Sequence, residues 1–114
     1  FPVTWPHDGT QTHHNIIADG WRLDEEYRLI LVNQTYVWSQ GFVDLSEWPT
    51  LNHHKWGLRD VLSGSYAFHD GHSIMQNGFY VELEGYQSVI LRFEWIDMHR
   101  IEDFLRIAGE SWQF

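Results

Sequence analysis

Two turn dipeptides, Asp70-Gly71 and Asn77-Gly78, constrain the fold of this 114-residue chain more than any other feature. Both are favoured in two-residue β-hairpin turns, because the turn residues adopt positive φ values that Gly, Asn and Asp tolerate best. The runs around them are rich in residues that favour strands, and they cover residues 65–69, 72–76, 79–84 and 87–95. The pattern predicts an antiparallel meander over this part of the chain.

Two-residue turns fix which residues pair across a hairpin, and the pairing assigns every side chain to one of two faces. One predicted face is mainly aliphatic, and we expect it to be the core. The opposite face carries the aromatic, Met and Glu side chains of the meander: Tyr66, Phe68, Met75, Tyr80, Glu82 and Glu84. We predict that this set binds a partner, because exposed aromatics rimmed by polar groups are typical of interfaces. The alternative is that another part of the chain covers this face.

The remaining segments predict a β-rich body with flanking elements. Residues 1–26 are rich in turn dipeptides and predict an arm that packs back on the body. Residues 27–32 and 35–39 predict a hairpin that turns at Asn33-Gln34. A weaker pattern predicts a helix over residues 53–62.

The last segment predicts a helix over residues 97–109. Asp97 is a suitable N-cap, Gly109 suits the position just past the C-terminus, and the apolar residues between them recur at helical spacing. We therefore predict a single α+β domain over residues 1–114, in which residues 27–96 form the body. Its antiparallel sheet has five or six strands with the C-terminal helix packed on one face. A small barrel-like closure of the sheet is the alternative.

The composition excludes several classes of function. The chain has no cysteine, so it has no disulfide, thiol nucleophile or cysteine zinc site. With 16 acidic and 7 basic residues the net charge is −9, which makes nucleic acid and anionic membranes poor partners. No apolar run approaches the roughly 20 residues that span a bilayer. We expect a soluble protein, with the cytoplasm favoured.

Two histidines flank the first turn dipeptide. The predicted hairpin would place His69 and His72 opposite each other, with Cα atoms about 5.5 Å apart. Two imidazoles at that range, with Asp70 or another carboxylate as a third ligand, could hold a divalent metal. The alternative is a solvated hairpin tip with two polar side chains, and no cofactor.

Other motifs point weakly to chemistry. The sequence has no nucleophile elbow and no glycine-rich phosphate loop. Glu82 and Glu84 share a strand face and are loosely compatible with acid–base work on sugars, while the seven Trp and five Tyr residues are compatible with carbohydrate stacking. Residues 33–35 form an N-glycosylation sequon.

These observations favour a non-enzymatic function. The first hypothesis is a small acidic binding protein, of the immunity-protein or anti-defence inhibitor type, that occludes a basic protein partner. Size, net charge and the aromatic face of the meander motivate it, because opposite charge speeds association and supplies specificity. The alternative is a small enzyme or ligand-binding β-barrel that uses His69, His72 and a carboxylate in an aromatic-lined pocket.

Overall fold

The computed structural model describes residues 1–5, 11–24 and 26–96. These residues form two antiparallel β-sheets that share one hydrophobic cluster. The elements in chain order are β1 Val3–Thr4, β2 Ile16–Leu23, β3 Glu26–Asn33, β4 Ser39–Val43, β5 Lys55–Asp60, β6 Tyr66–Asp70, α1 Gly71–Asn77, β7 Phe79–Leu83 and β8 Ser88–Ile96. Two short 3-10 helices cover Thr12–Asn15 and Pro49–His53.

The three-stranded sheet has the order β1-β4-β7, and the five-stranded sheet has the order β2-β3-β8-β5-β6. All neighbouring strands are antiparallel. The predicted antiparallel β class is thus confirmed, although as two sheets rather than one. Neither sheet closes into a barrel through the strands described.

Alternating side chains of both sheets build the core. In β3 the buried apolar residues are Tyr27, Leu29 and Leu31, and in β7 every second residue, beginning with Phe79, is buried. The period of two is that of a strand with one face against apolar surroundings. The ring centroids of Phe79 and Phe93 lie 6.4 Å apart, which brings β7 and β8 of different sheets into one core.

The Asp70-Gly71 dipeptide begins a helix and does not turn a hairpin. The Asp70 carboxylate accepts a hydrogen bond from the backbone N–H of His72 at 3.3 Å and caps α1. Aspartate favours both turns and N-caps, so the dipeptide alone does not distinguish them. A Cβ atom on buried Gly71 would lie 1.6 Å from the Leu51 carbonyl oxygen, so this glycine allows close packing. The predicted strand over residues 72–76 is therefore wrong.

The second dipeptide, Asn77-Gly78, lies where α1 ends. Gly78 has a φ of 82°, as the prediction requires, and its N–H donates to the Ile74 carbonyl at 3.0 Å. The hairpin predicted around it is wrong, because β7 pairs with β4 and β6 pairs with β5. The strands predicted over residues 65–69, 79–84 and 87–95 are confirmed as β6, β7 and β8.

Two earlier segments also differ from prediction. The hairpin over residues 27–39 is wrong, because β3 pairs with β2 from Ile16↔Asn33 to Leu23↔Glu26. Part of the predicted arm is thus a full strand of the larger sheet.

The helix predicted over residues 53–62 is wrong as well, because β5 lies between β8 and β6. The buried residues Trp56 and Leu58 are two positions apart, which is the spacing of a strand. The α-helix found in the described residues is α1. The helix predicted over residues 97–109 lies outside them.

Asn33 ties two loops together at the end of β3. Its side chain is 1% exposed, and Nδ2 donates to the carbonyl oxygens of Val37, Leu83 and Glu84 at 2.7, 3.3 and 3.0 Å. Oδ1 accepts from the backbone N–H and the hydroxyl of Thr35, both at 3.0 Å. One buried side chain therefore fixes the loop after β3 against the loop after β7.

Candidate functional site

The outward side of the three-stranded sheet carries a cluster of aromatic rings. Phe42 of β4 pairs with Tyr80 of β7, and Trp5 lies directly after β1. The ring centroid of Phe42 is 5.3 Å from that of Tyr80 and 5.6 Å from that of Trp5, and the Trp5 and Phe42 planes are only 23° apart. The next residue pair on the same side of these two strands is Gln40 and Glu82. These five residues are called the aromatic platform below.

Hydrogen bonds fix the polar part of the aromatic platform. The Tyr80 hydroxyl lies 2.8 Å from Gln40 Oε1 and 2.8 Å from Glu82 Oε1. A phenol has one proton, and the carboxylate is the stronger acceptor, so Tyr80 donates to Glu82. If the Gln40 side-chain amide is rotated so that its oxygen and nitrogen exchange places, Nε2 donates to the Tyr80 hydroxyl oxygen and Oε1 points away from it.

The Tyr80 hydroxyl stays protonated at neutral pH. Burial, the hydrogen bond to Glu82 and the negative charge of Glu82 together raise the pKa of Tyr80 to about 12. No ion pair among the described residues involves Glu82. The platform therefore presents a carboxylate and an amide to solvent beside three rings.

Exposed side chains continue this surface beyond the platform. Trp38 precedes β4 and is 47% exposed, and Glu84 follows β7 and is exposed. Both positions directly adjoin the strands that carry Gln40 and Glu82. Two residues along a strand span about 6.8 Å.

The structure divides the predicted partner-binding set. Tyr80 and Glu82 share the platform, and Glu84 follows them. Tyr66 and Phe68 lie on β6 of the other sheet, with ring centroids 5.0 Å apart, and Met75 lies on α1, packed against the core. The single face predicted for all six is wrong, because the two predicted hairpins do not form. Partner binding by each residue stays a prediction.

The predicted metal pair is also separated by the start of α1. His69 belongs to β6, its ring lies edge-on to Phe79 at 5.2 Å, and burial lowers its pKa. His72 belongs to α1, and its Nδ1 lies 3.0 Å from Asn52 Oδ1. The hairpin pairing that motivated a metal site is therefore wrong. No three His, Asp or Glu side chains converge in a metal-binding arrangement within the described ranges.

The outward side of the five-stranded sheet carries a row of arginines. Arg28 of β3 pairs with Arg92 of β8, which pairs with Arg59 of β5. Glu94 accepts from Arg92 Nη2 at 2.7 Å and from Arg59 Nε at 3.5 Å. Burial raises the pKa of Glu94, but the hydrogen bond and charge of Arg92 and the charge of Arg59 outweigh it, so the net pKa is lowered.

Sequence reasoning missed several residues of both faces. Trp5 comes from the segment predicted as an arm, and Gln40 and Phe42 follow the segment predicted as the second strand of a hairpin. The arginines of the row are far apart in sequence, so only the pairing of β3, β8 and β5 brings them together. Gln40 and Phe42 alternate with buried residues along β4, and this alternation is the local feature that places them on one outward side.

Comparison with known proteins finds no match, either among protein-family models or among curated proteins. In the residues that the structure describes, no helix has the length and apolar character needed to cross a membrane.

Proposed function

We propose that this chain is a non-catalytic binding domain that holds a carbohydrate on the aromatic platform. The observation that carries the proposal is the grouping of Trp5, Phe42 and Tyr80 beside the hydrogen-bonded pair Gln40 and Glu82.

The chemistry of a sugar ring matches both halves of the platform. The face of an aromatic ring is electronegative, and the C–H groups on one side of a pyranose are weakly electropositive, so the two surfaces pack together. Hydroxyls around the sugar edge need donors and acceptors at fixed positions. Gln40 and Glu82 supply these, and the Tyr80 hydroxyl holds the Glu82 carboxylate in place. This organisation before binding lowers the entropy lost on binding.

The platform is suited to binding and not to hydrolysis. Glycosidases place two carboxyl groups on either side of the scissile bond, so the substrate lies between them. Glu82 lies on β7 and Glu84 directly follows that strand, so one short segment supplies both carboxylates. A sugar chain would lie across both.

The platform extends far enough for more than one sugar unit. The step from Phe42 to Gln40 spans about 6.8 Å along β4, and exposed Trp38 lies directly before that strand. We therefore expect an oligosaccharide to bind more tightly than a monosaccharide. Trp38 would contact the second or third unit.

Titration calorimetry of the intact chain with neutral glucose, mannose, xylose and N-acetylglucosamine oligosaccharides tests the proposal. We expect one class to bind, and Tyr80→Ala to weaken that binding about tenfold, the loss of one stacking ring. Trp21→Ala is the matched control, because Trp21 is 52% exposed on β2 of the other sheet. Thermal unfolding confirms that each variant is folded.

Two results would overturn the proposal. One is the absence of binding by every oligosaccharide class. The other is equal weakening by Tyr80→Ala and Trp21→Ala. Retention of a basic protein that is lost at high salt, without any sugar binding, would favour the occlusion hypothesis drawn from the net charge of −9.

A further inference from the structure

A second site lies at the end of the five-stranded sheet where β2 meets β3 and β8 ends. Two adjoining cavities, of 430 and 350 Å³, share His53, His54 and Trp95 as lining residues. Together they are called the histidine cleft. The 350 Å³ cavity is within the size range of small-ligand sites, and neither cavity touches the aromatic platform.

Aromatic rings form much of the wall of the histidine cleft. The His54 ring centroid lies 4.8 Å from that of Trp95 and 5.8 Å from that of Trp56. Trp95 is 51% exposed although it pairs with buried Trp56 across β8 and β5. A large half-exposed indole beside an imidazole is a surface on which a flat ring packs.

The charge in the 350 Å³ cavity is unlike that of the whole chain. Arg22, His53 and His54 line it, and its lining residues within the described chain include no carboxylate. The chain as a whole has a net charge of −9. The adjoining cavity adds Lys55 and Asp70, whose charges offset each other.

Arg22 is held with its guanidinium at the cleft. Its Cζ lies 5.5 Å from the centroid of the Tyr27 ring, and its Nε donates to the Asp24 carbonyl oxygen at 2.8 Å. Those contacts orient the guanidinium plane and use the Nε proton. The two terminal nitrogens carry the remaining four protons, which suit a carboxylate or phosphate. Beside them, the hydroxyls of Tyr27 and Thr50 are hydrogen-bonded to each other.

We propose that the histidine cleft binds a small organic anion that carries a flat ring. Arg22 binds the anionic group, and Trp95 with His54 packs against the ring. The anionic group of the ligand is matched by the guanidinium of the cleft, and its flat ring by the aromatic wall. This site is independent of the carbohydrate proposal, because it shares no residue with the aromatic platform.

Nuclear magnetic resonance titration of the intact chain tests this proposal with four simple probes. Benzoate carries both features, benzyl alcohol lacks the charge, cyclohexanecarboxylate lacks the aromatic ring, and phenyl phosphate replaces the carboxylate. We expect benzoate to shift the His53 and His54 ring signals and the Trp95 indole signal. Benzyl alcohol and cyclohexanecarboxylate should bind more weakly. Comparison of benzoate with phenyl phosphate identifies the preferred anionic group.

Two variants locate the site. Arg22→Gln should weaken benzoate binding about tenfold or more, since a charge-assisted pair is lost. Arg28→Gln is the matched control on the opposite side of the same sheet and should have no effect. Trp95→Ala should also weaken benzoate binding. Because Trp95 is half-exposed, this variant tests the site if Arg22→Gln does not fold.

The proposal is overturned if benzoate and phenyl phosphate both leave the three ring signals unchanged. Equal effects of Arg22→Gln and Arg28→Gln would overturn it too, because binding would then follow net charge alone. A neutral oligosaccharide should leave these ring signals unchanged. If the intact chain binds benzoate but none of the oligosaccharides, the carbohydrate proposal is rejected and this one stands.

Discussion

The outward sides of the two sheets differ in how their charges are satisfied. On the five-stranded sheet, Arg92 and Arg59 both contact Glu94, and Arg28 lies 3.8 Å from Glu26. On the three-stranded sheet, Glu82 accepts a hydrogen bond from neutral Tyr80. The first surface neutralises its charges internally, whereas the second keeps acceptors and rings available to solvent.

This difference is consistent with the proposed roles of the two surfaces, stabilisation on the five-stranded sheet and binding on the three-stranded sheet. Like charges directly opposite on neighbouring strands are unfavourable, so the Glu94 carboxylate offsets repulsion between Arg92 and Arg59. The aromatic platform has no such need, because its polar groups are not opposed by like charges. We therefore expect substitutions on the five-stranded sheet to change stability, and those on the platform to change binding.

The largest loss of stability is expected at Asp60, whose buried carboxylate lies on the inner side of the five-stranded sheet and gives a reference for the outward substitutions. It accepts hydrogen bonds from the backbone N–H groups of Leu62 and Ile90 and from the Ser63 hydroxyl. Asp60→Ala leaves two backbone donors without their acceptor and should lower the free energy of unfolding by about 1–3 kcal/mol in urea titrations. Asp44→Ala, an exposed position after β4, is the control with a smaller loss.

Asp60 also makes the free energy of unfolding depend on pH. Burial raises its pKa, but the hydrogen bonds from Ser63, Leu62 and Ile90 outweigh burial, so the net pKa is lowered. A carboxyl whose pKa is lower in the folded state stabilises fully above its unfolded pKa, and this contribution is lost as pH falls through the folded pKa. Asp60→Ala should therefore flatten the acid side of the stability curve. An equally steep decline in the variant would contradict this.

A smaller effect is expected at Glu94. Glu94→Gln removes the charge between Arg92 and Arg59 and should cost about 0.5–1 kcal/mol, since the group is partly exposed. Added salt should shrink the loss, because it screens repulsion between the arginines. Glu26→Gln is the control, as the Glu26 side chain is 74% exposed. Equal losses for the two variants at low salt would remove the special role of Glu94.

The smallest effect on stability is expected on the aromatic platform. Glu82→Gln removes a charge that helps to raise the pKa of Tyr80 to about 12, so this pKa should fall toward 10.0. Ultraviolet titration of tyrosine ionisation measures the shift, and Tyr80→Phe identifies the Tyr80 step. The free energy of unfolding should change by less than about 0.5 kcal/mol. A large loss of stability would show that the platform supports the fold.

The sequence predicted the strands better than their partners. The runs that became β6, β7 and β8 could be found locally, because their composition and alternation favour strands. Their partners could not, because β3, β5 and β8 meet only through contacts distant in sequence. The predicted strand register therefore depended on two dipeptides, and these lie at the start and the end of α1.

The same two dipeptides explain what was missed at the sites. Glycine at position 78 does adopt the expected positive φ, yet glycine at position 71 is needed for contact with the Leu51 backbone. A sequence does not distinguish these two requirements, since glycine meets both. The platform was thus predicted in part, through Tyr80 and Glu82. The histidine cleft was not predicted, because no local spacing joins Arg22 to Trp95.

The buried hydrogen bonds of the Asn33 side chain have a consequence for producing this protein in eukaryotic cells. Residues 33–35 match the acceptor signal for N-linked glycans, and such a glycan is attached through Nδ2. That nitrogen faces three carbonyl oxygens in the interior and has no room for a bulky, hydrated substituent. Modification and native folding exclude each other at this position. Secretion by a glycosylating host should therefore yield folded chains of unmodified mass, with any glycosylated chains recovered as misfolded material.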